Sequence, residues 1–356
     1  MNFWQKLKKP IMVLAPLADV TDPAFRRIIA KYGKPDVMWT EFVSADGLFL
    51  SPVREHIEKF LNKQISREDI YSLSNGIGGS ALVKDLAFTE AERPIVAQFF
   101  TAKPEMMKKA ARLAVDLGFD GIDINMGCPD KSVEKQAAGA ALIKNYSLAK
   151  EIINAAKAGA GNLPVSVKTR IGYNKDEIEK WIPALLETKP AVITIHARTR
   201  KEISLVPARW EHVKRAVEIR NAWRDTHGNK SETLIFGNGD VVDIDDAMRK
   251  CKETGCDGVM LGRAIFGTPW LFSNSYELEN REDVDVIKKI LEILVEHTKL
   301  FEELLPHKSF AIMKKHYKAY VNGWEGAKEL RMKLMDGKDA SEIVSIVDEY
   351  IKNGLK

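Results

Sequence analysis

Gly118-Phe-Asp-Gly-Ile-Asp-Ile-Asn-Met-Gly-Cys-Pro-Asp130 decides how the rest of the chain is read. Its centre, 122–126, is an apolar run interrupted by an acid, Asp123, and an amide, Asn125. That pattern fits a buried strand carrying polar side chains. Gly127-Cys128-Pro129 cannot continue the strand or begin a helix cleanly. The Cys128 thiol is therefore expected on a loop at a strand's carboxyl end, where enzymes place reactive groups. Cys251 and Cys256 fall in ordinary helix and helix-exit contexts.

Similar short, β-branched runs recur at 11–15, 37–42, 94–99, 165–168, 192–196, 233–237 and 258–261. Helix-like stretches lie between them, among them 104–117, 137–158, 175–186, 210–223 and 243–254. Strands that are apolar throughout and alternate with helices predict a parallel sheet covered on its faces. Eight such units fit a closed (β/α)₈ TIM barrel. An open doubly wound sheet would call for Gly-x-Gly-x-x-Gly after the first strand. Ala15-Pro16-Leu17-Ala18-Asp19 is not that.

Past Trp270 the strand pattern stops, and the spacing of Ile287, Ile290, Leu291, Leu294 and Val295 predicts helices. The expected organisation is a catalytic barrel over 1–273 and a small helical domain over 274–356. Residues 61–93 read as an insertion, with Ser74-Asn-Gly-Ile-Gly-Gly-Ser80 as a mobile loop.

A chain with 45% hydrophobic and 29% charged residues can bury a core and remain soluble. Three cysteines are too few for a disulfide framework and match no zinc spacing, so a cytoplasmic protein without a metal is expected. No long uncharged apolar run predicts a membrane span, and the basic N-terminal residues have no apolar signal core behind them. A net charge of +4 permits a polyanionic partner without requiring one.

The predicted strand ends are unusually polar. They carry Thr40-Glu41, Gln98, Asn125 with Cys128, Lys168-Thr169-Arg170, His196-Ala-Arg198-Thr-Arg200, Gly237-Asn238-Gly239-Asp240 and Gly262-Arg263. One polar strand end is normally a satisfied loop contact; six or seven on one face predict a common ligand site. Lys168 ends a buried strand and suits a ring that becomes anionic on reduction; pairing with Glu41 or Asp123 is the packing alternative. His196 reads as a site residue or as a satisfied core histidine. Gly237, Gly239, the helix near Asp243, Gly262 and Arg263 together read as a phosphate cradle. Lys308, Lys314, Lys315, Lys318, Arg331 and Lys333 interleave with His316, Tyr317, Tyr320 and Trp324, either as an RNA surface or as a solvated helix face.

Seven segments resemble the flavin-dependent tRNA-dihydrouridine synthases. They are Ala15-Pro-Leu-Ala-Asp-Val-Thr-Asp-Pro-Ala-Phe-Arg26, Glu41-Phe-Val-Ser-Ala45, Asp123-Ile-Asn-Met-Gly-Cys-Pro129, Val167-Lys-Thr-Arg170, His196-Ala-Arg-Thr-Arg200, Gly237-Asn-Gly-Asp240 and Gly258-Val-Met-Leu-Gly-Arg-Ala264 running to Pro269-Trp270. Lys315-His-Tyr-Lys-Ala-Tyr-Val-Asn-Gly-Trp-Glu-Gly326 is similar to the family's C-terminal motif.

The resemblance implies an FMN-bearing barrel that reduces the C5–C6 double bond of selected tRNA uridines, with NADPH (or NADH) as electron donor. It implies that Cys128 gives the proton to C5 while flavin N5 delivers hydride to C6. Lys168 would face the N1/C2-oxygen edge of the flavin, and Gln98 and Asn125 would line flavin and uracil. His196 would close the substrate side with Arg170 and Arg198 nearby. Asn238, Gly239, Asp240, Gly262 and Arg263 would hold the FMN end of the site, and Ala15-Pro16 would pack the ring. Lys308, Lys314, Lys315, His316 and Lys318 would meet tRNA. A monomer is expected, although the sequence does not itself fix the oligomeric state.

Three features depart from the family pattern. Glu202, Ser204 and Val206 stand where a glutamine, a tyrosine and a glycine are usual, Thr101 replaces a common glycine, and 61–93 is long. Two other readings remain at this stage: a same-fold flavoenzyme acting on a free pyrimidine, as dihydroorotate-oxidising enzymes do, and an RNA-binding protein with an inactive barrel.

Overall fold

The computed structural model describes residues 2–226, 233–273, 278, 280–353 and 355. Eight strands form one sheet: β1 (Ile11–Leu14), β2 (Met38–Ser44), β3 (Ile95–Phe100), β4 (Gly121–Met126), β5 (Val165–Arg170), β6 (Val192–His196), β7 (Leu234–Asn238) and β8 (Gly258–Leu261). Every pairing is parallel, in the order β1-β8-β7-β6-β5-β4-β3-β2. The ring closes where Leu14 N donates to Val37 O at 3.2 Å and Asp36 N to Met12 O at 2.9 Å, around a Val13–Val37 bridge. The expected (β/α)₈ barrel is therefore the observed fold.

Register turns the two-residue period of each strand into layers inside the barrel. The amino-terminal half of the interior is apolar: Ile11, Val13, Val37, Trp39, Val96, Val192, Leu234 and Phe236 share one core with Trp4. Trp4 comes from the short helix Phe3–Lys6, and its ring lies 5.7 Å from Trp39 and 5.6 Å from Phe236. Burying each such aromatic contributes roughly 2–3 kcal/mol. The next layer toward the carboxyl ends changes to polar side chains, as Gln98 registers with Asp123, Asp123 with Ser166 and Asn125 with Lys168. The barrel is thus an oil-filled base under a polar mouth.

Base loops are pinned by charge. Asp257 accepts from Lys9 Nζ at 2.5 Å, Arg220 at 2.7 Å and Ile235 N at 2.9 Å. Burial opposes its ionisation, but these partners hold the carboxyl below its usual range.

Two expectations are corrected. Residues 137–158 were expected as one helix, yet the helix is Tyr146–Ala160, preceded by a 3₁₀ turn at Gly139–Lys144. Gly139 adopts φ 61°, and Ala140 N donates to Cys128 O at 3.0 Å. A Cβ on Gly139 would lie 2.8 Å from that carbonyl. Helix propensity yields here to support of the cysteine loop. Second, 61–93 is not a bare insertion: it contains the helices Arg67–Tyr71 and Ser80–Lys84. The segment 74–80 is built from hydrogen-bonded turns, with Ile77 N on Ser74 O at 3.1 Å and Val53 N on Gly78 O at 3.0 Å.

By contacts the chain forms two compact units. The first is Met1–Ala18, Asp36–Ala87 and Arg93–Gly262; the second is Asp19–Pro35, Phe88–Glu92 and Arg263–Lys356. Within the second, the helix Pro23–Tyr32 starts on an Asp22 cap, which accepts from Phe25 N at 2.9 Å, and packs on the helix Val284–Leu304. Its Arg26 is wholly buried and pairs with the equally buried Glu92 at 2.8 Å. No helix among the described residues is long and apolar enough to cross a membrane.

Candidate active site

At the carboxyl end of β4 a directional hydrogen-bond chain fixes the cysteine loop. Asp123 Oδ2 accepts from Gln98 Nε2 at 2.6 Å, and Gln98 Oε1 accepts from Asn125 Nδ2 at 3.0 Å. Asn125 Oδ1 then accepts from Gly127 N at 3.1 Å and Cys128 N at 2.9 Å. A carboxylate can only accept, so Gln98 must present its NH₂ to Asp123, and the order of donors is set along the whole chain. Ser166 Oγ donates to the other oxygen of Asp123 at 2.6 Å. Burial raises the Asp123 carboxyl to about 6 against the pull of these donors.

Cys128 remains partly accessible and packs against the cluster of Phe100, Val133 and Ala138, which Phe42 also joins. That apolar wall desolvates the thiol and raises its pKa, outweighing the Lys168 and Arg170 charges that pull it down. At neutral pH the group is a thiol.

Lys168 lies in register between Asn125 and Thr194. Desolvation by surrounding protein, reinforced by the Arg170 charge, lowers its ammonium to about 8, although the side chain keeps some accessible surface. Among the described residues it makes no ion pair, so the expected packing partners Glu41 and Asp123 do not neutralise it by contact. Thr194, its register neighbour, is wholly buried, and its hydroxyl has no partner among the described residues.

Arg170 holds two loops together. Its Nε donates to Gly127 O at 2.8 Å, and its NH1 donates to Thr199 O at 3.0 Å and Ile203 O at 2.9 Å. Burial lowers it to about 10, which leaves it charged at neutral pH. Arg198 is 2% exposed; it donates to Val206 O at 2.6 Å, to His196 Nε2 at 3.0 Å and to Asp240. A guanidinium has no acceptor, so His196 Nε2 accepts and the ring proton is on Nδ1. Asp240 also takes Ala208 N at 2.8 Å.

Several expected contacts are therefore positioning groups. Gln98 has no accessible surface and reaches the mouth only through Asn125. Arg170, Arg198 and Asp240 spend their polar atoms on loop carbonyls, a histidine and one another. Gly237 is required by packing, because a Cβ there would lie 2.2 Å from the Trp210 ring. Gly239, at φ 118°, packs on Ala208 and His196 and accepts from Trp210 Nε1 at 2.9 Å. The helix Ile244–Thr254 caps itself: Asp243 accepts from Asp246 N at 2.7 Å, and Asp245 and Asp246 occupy its first turn. Three carboxylates make that terminus a poor anion site, against expectation.

Gly262 is different. A Cβ there would meet only Ala15 at 3.6 Å and Leu17 at 3.8 Å, ordinary contacts, so the chain's own packing does not demand glycine. Ala15 and Pro16 are buried at the top of β1, and Asn238, whose Nδ2 donates to Met260 O at 2.8 Å, completes this edge. Arg263 is exposed and opens the second compact unit.

In that second unit, His316 is fully buried against Phe25, Phe266 and His297, which corrects its expected contact with RNA. Tyr317 and Tyr320 are buried too. Lys308 lies 3.9 Å from Asp19, with a side chain only 10% exposed. Lys314 and Lys315 are partly exposed and Lys318 is exposed on the helix Met313–Tyr320.

Sequence reading took Asp123 only as a packing partner of Lys168 and missed Ser166 and Glu134 as parts of the site. Asp123 and Ser166 were visible as polar residues inside apolar strands, a costly placement that signals a buried network. Glu134, which pairs with Arg200 at 2.9 Å, carried no such signal.

The family described as "Dihydrouridine synthase (Dus)" matches residues 13–355. A "Probable tRNA-dihydrouridine synthase 2" of Bacillus subtilis (strain 168) is 36% identical over 356 residues, covering 99% of this chain and 98% of its own. A "Probable tRNA-dihydrouridine synthase" of Staphylococcus aureus (strain COL) is 37% identical over 352 residues, 98% of this chain and 95% of its own. Among solved structures, histamine dehydrogenase from Rhizobium sp. 4-9 aligns with a TM-score of 0.51 at 12% identity, over 97% of this chain and 63% of that one; this likeness concerns the fold. With the family's match running from the first strand to the C-terminal helix, the chain belongs to the dihydrouridine synthase family.

Proposed function

We propose that this protein is a tRNA-dihydrouridine synthase that reduces the C5–C6 double bond of tRNA uridines at the barrel mouth, with FMN as its flavin and NADPH (or NADH) as its electron source. The observation that carries the reading is the Cys128 thiol: protonated, reachable, held by its backbone on Asn125 and within the field of the Lys168 charge.

The residues present fit a flavin. Lys168 offers a partly desolvated ammonium that makes no ion pair among the described residues, Thr194 a buried hydroxyl with no partner among them, and Gly262 space for a Cβ at ordinary contact distance from Ala15 and Leu17. Lys168 would hold the ring, Ala15 and Pro16 its face, and Asn238, Gly239 and Gly262 its phosphate end. When bound, FMN supplies the two-electron chemistry.

Cys128 supplies the proton that C5 of the uracil must take once C6 is reduced. Its raised pKa suits an acid, since a thiolate would have nothing to give. The thiolate left behind is stabilised by the Lys168 and Arg170 charges, which already favour it. Asn125 fixes the thiol's position, and Arg198 holds His196 in one tautomer at the substrate side. The 1–273 segment would serve as the FMN-binding catalytic domain and the helical 274–356 segment as the tRNA-binding domain. There, Lys314, Lys315 and Lys318 would neutralise phosphates.

The test is to incubate the purified protein with NADPH and tRNA and map dihydrouridine by position. Position-specific gain is expected. A flavin-loaded protein that oxidises NADPH but leaves every tRNA uridine intact would overturn the reading.

A further inference from the structure

The loop after β6 carries an aliphatic tip whose backbone is braced at several points. Arg170 takes the carbonyls of Thr199 and Ile203, and Arg198 takes that of Val206. Glu202 accepts from Thr199 N at 2.7 Å and pairs with Arg209 at 2.9 Å. Ala208 N is held by Asp240. Arg200 pairs with Glu134, on the short helix Lys131–Glu134 that follows Cys128. Two of these links, through Arg170 and through Arg200, run straight to the cysteine loop. The tip is therefore rigidly indexed to the thiol.

What the tip presents is apolar. Leu205 is 84% exposed, Ile203 45% and Val206 37%. Ile203 sits at φ 54°, a left-handed conformation that is an outlier for a β-branched residue and persists because Arg170 and the turn hold it. Exposed single leucines need no explanation, but three aliphatic residues on a braced, strained loop tied to the cysteine loop do. The tip follows β6 at the carboxyl end of the barrel, the end that also carries Cys128, and Arg170 joins it to the Gly127 carbonyl. A flat nucleobase suits it, because aliphatic side chains cover unstacked base faces, and apolar wedges hold nucleic-acid strands apart. A pre-ordered wedge loses little entropy on binding.

We propose that Leu205, with Ile203 and Val206, forms a fixed aliphatic wedge that packs against the RNA nucleotide next to the target uridine and keeps that uridine extruded toward Cys128. This rests on the reading of the protein as a tRNA uridine reductase and names how that site selects an unstacked base. The altered residues Glu202, Ser204 and Val206 then fit together: Glu202 locks the loop, and the positions around it build the tip.

The test compares wild type, Leu205→Asp and Leu205→Met on tRNA carrying 2-aminopurine beside the uridine that wild type reduces. Leu205→Asp should lower kcat/KM for dihydrouridine formation by about ten-fold or more and abolish the fluorescence rise that reports unstacking, while Leu205→Met keeps both. Flavin content and melting temperature should match wild type in each, since the side chain is exposed. Wild-type behaviour of Leu205→Asp on tRNA overturns the wedge, and more so if that variant instead changes the oligomeric state, which would make the tip a protein contact. A wild-type protein that forms no dihydrouridine in any tRNA overturns the enzyme reading itself, and the wedge with it.

Discussion

Asn125 Oδ1 accepts from the backbone N of Cys128 at 2.9 Å, and the amide's other end is fixed by Gln98 at 3.0 Å. The position of the thiol thus depends on which way a buried amide points. Asn125→Asp would set a carboxylate oxygen against Gln98 Oε1, and Gln98 cannot turn without facing Asp123 with the same oxygen. Asn125→Asp is expected to cost roughly 1–3 kcal/mol of stability, and dihydrouridine formation should fall about ten-fold or more. Urea unfolding and turnover on tRNA check both; an Asn125→Asp protein of unchanged stability would show that the chain is not directional.

The burial that keeps Cys128 protonated should show in its chemistry without any substrate. Alkylation by iodoacetamide requires the thiolate, so at pH 7 Cys128 should react more slowly than a free peptide cysteine and speed up as pH rises above the ordinary thiol range. Lys168→Met removes a charge that favours the thiolate and should slow the reaction further. Peptide mass spectrometry separates Cys128 from Cys251 and Cys256. A fast, pH-independent reaction at Cys128 would remove the case for a thiol acid.

The strands were legible because a barrel strand is apolar on both faces, and the predicted and observed ends agree to within two residues at 11–14, 121–126 and 192–196. The polar mouth was legible for the same reason: Lys168 and Asn125 are expensive inside such strands. Their division of labour was not. Whether Arg198 meets a substrate or a carbonyl depends on how the loop folds Val206 back onto it and on Asp240, 42 residues further on, and neither pairing has a local signal. Gly237 looked like a phosphate contact because a glycine's motif does not say whether a ligand or Trp210 fills the space. His316 looked like part of a basic surface because its neighbours Lys315 and Lys318 are charged, while its own face turns to Phe25.

Lys168 sets function against stability. Its ammonium, brought to about 8 by burial, is disfavoured in the folded state, so Lys168→Met should raise stability at pH 7 by roughly 1–3 kcal/mol while uridine reduction drops. The sign follows from linkage. A lysine whose folded pKa lies below its unfolded 10.5 destabilises fully below pH 8, and the penalty fades between pH 8 and 10.5. The advantage of Lys168→Met should therefore shrink from pH 7.5 to pH 10, as measured by denaturant unfolding of the two proteins side by side. A constant difference would mean that Lys168 is not desolvated.

His316 and His297 offer the opposite test, in the helical unit. Their rings lie 4.6 Å apart, both are fully buried, and neither nitrogen of His316 has a partner among the described residues. Burial takes His297 down to about 3 and His316 well below its ordinary value, His316 also feeling His297 and Lys315. The unfolded chain takes up protons near 6.5 that the folded chain refuses, so stability is full above that pH and is lost as pH falls below it. Each histidine that stays neutral should cost about 1.4 kcal/mol per pH unit in that window. His316→Leu removes one of the two and two unsatisfied nitrogens, so its stability should fall less steeply between pH 6.5 and 5 than that of wild type. Denaturant unfolding at those two pH values decides it: parallel pH dependences in the two proteins would show that His316 titrates in the folded state as it does in water.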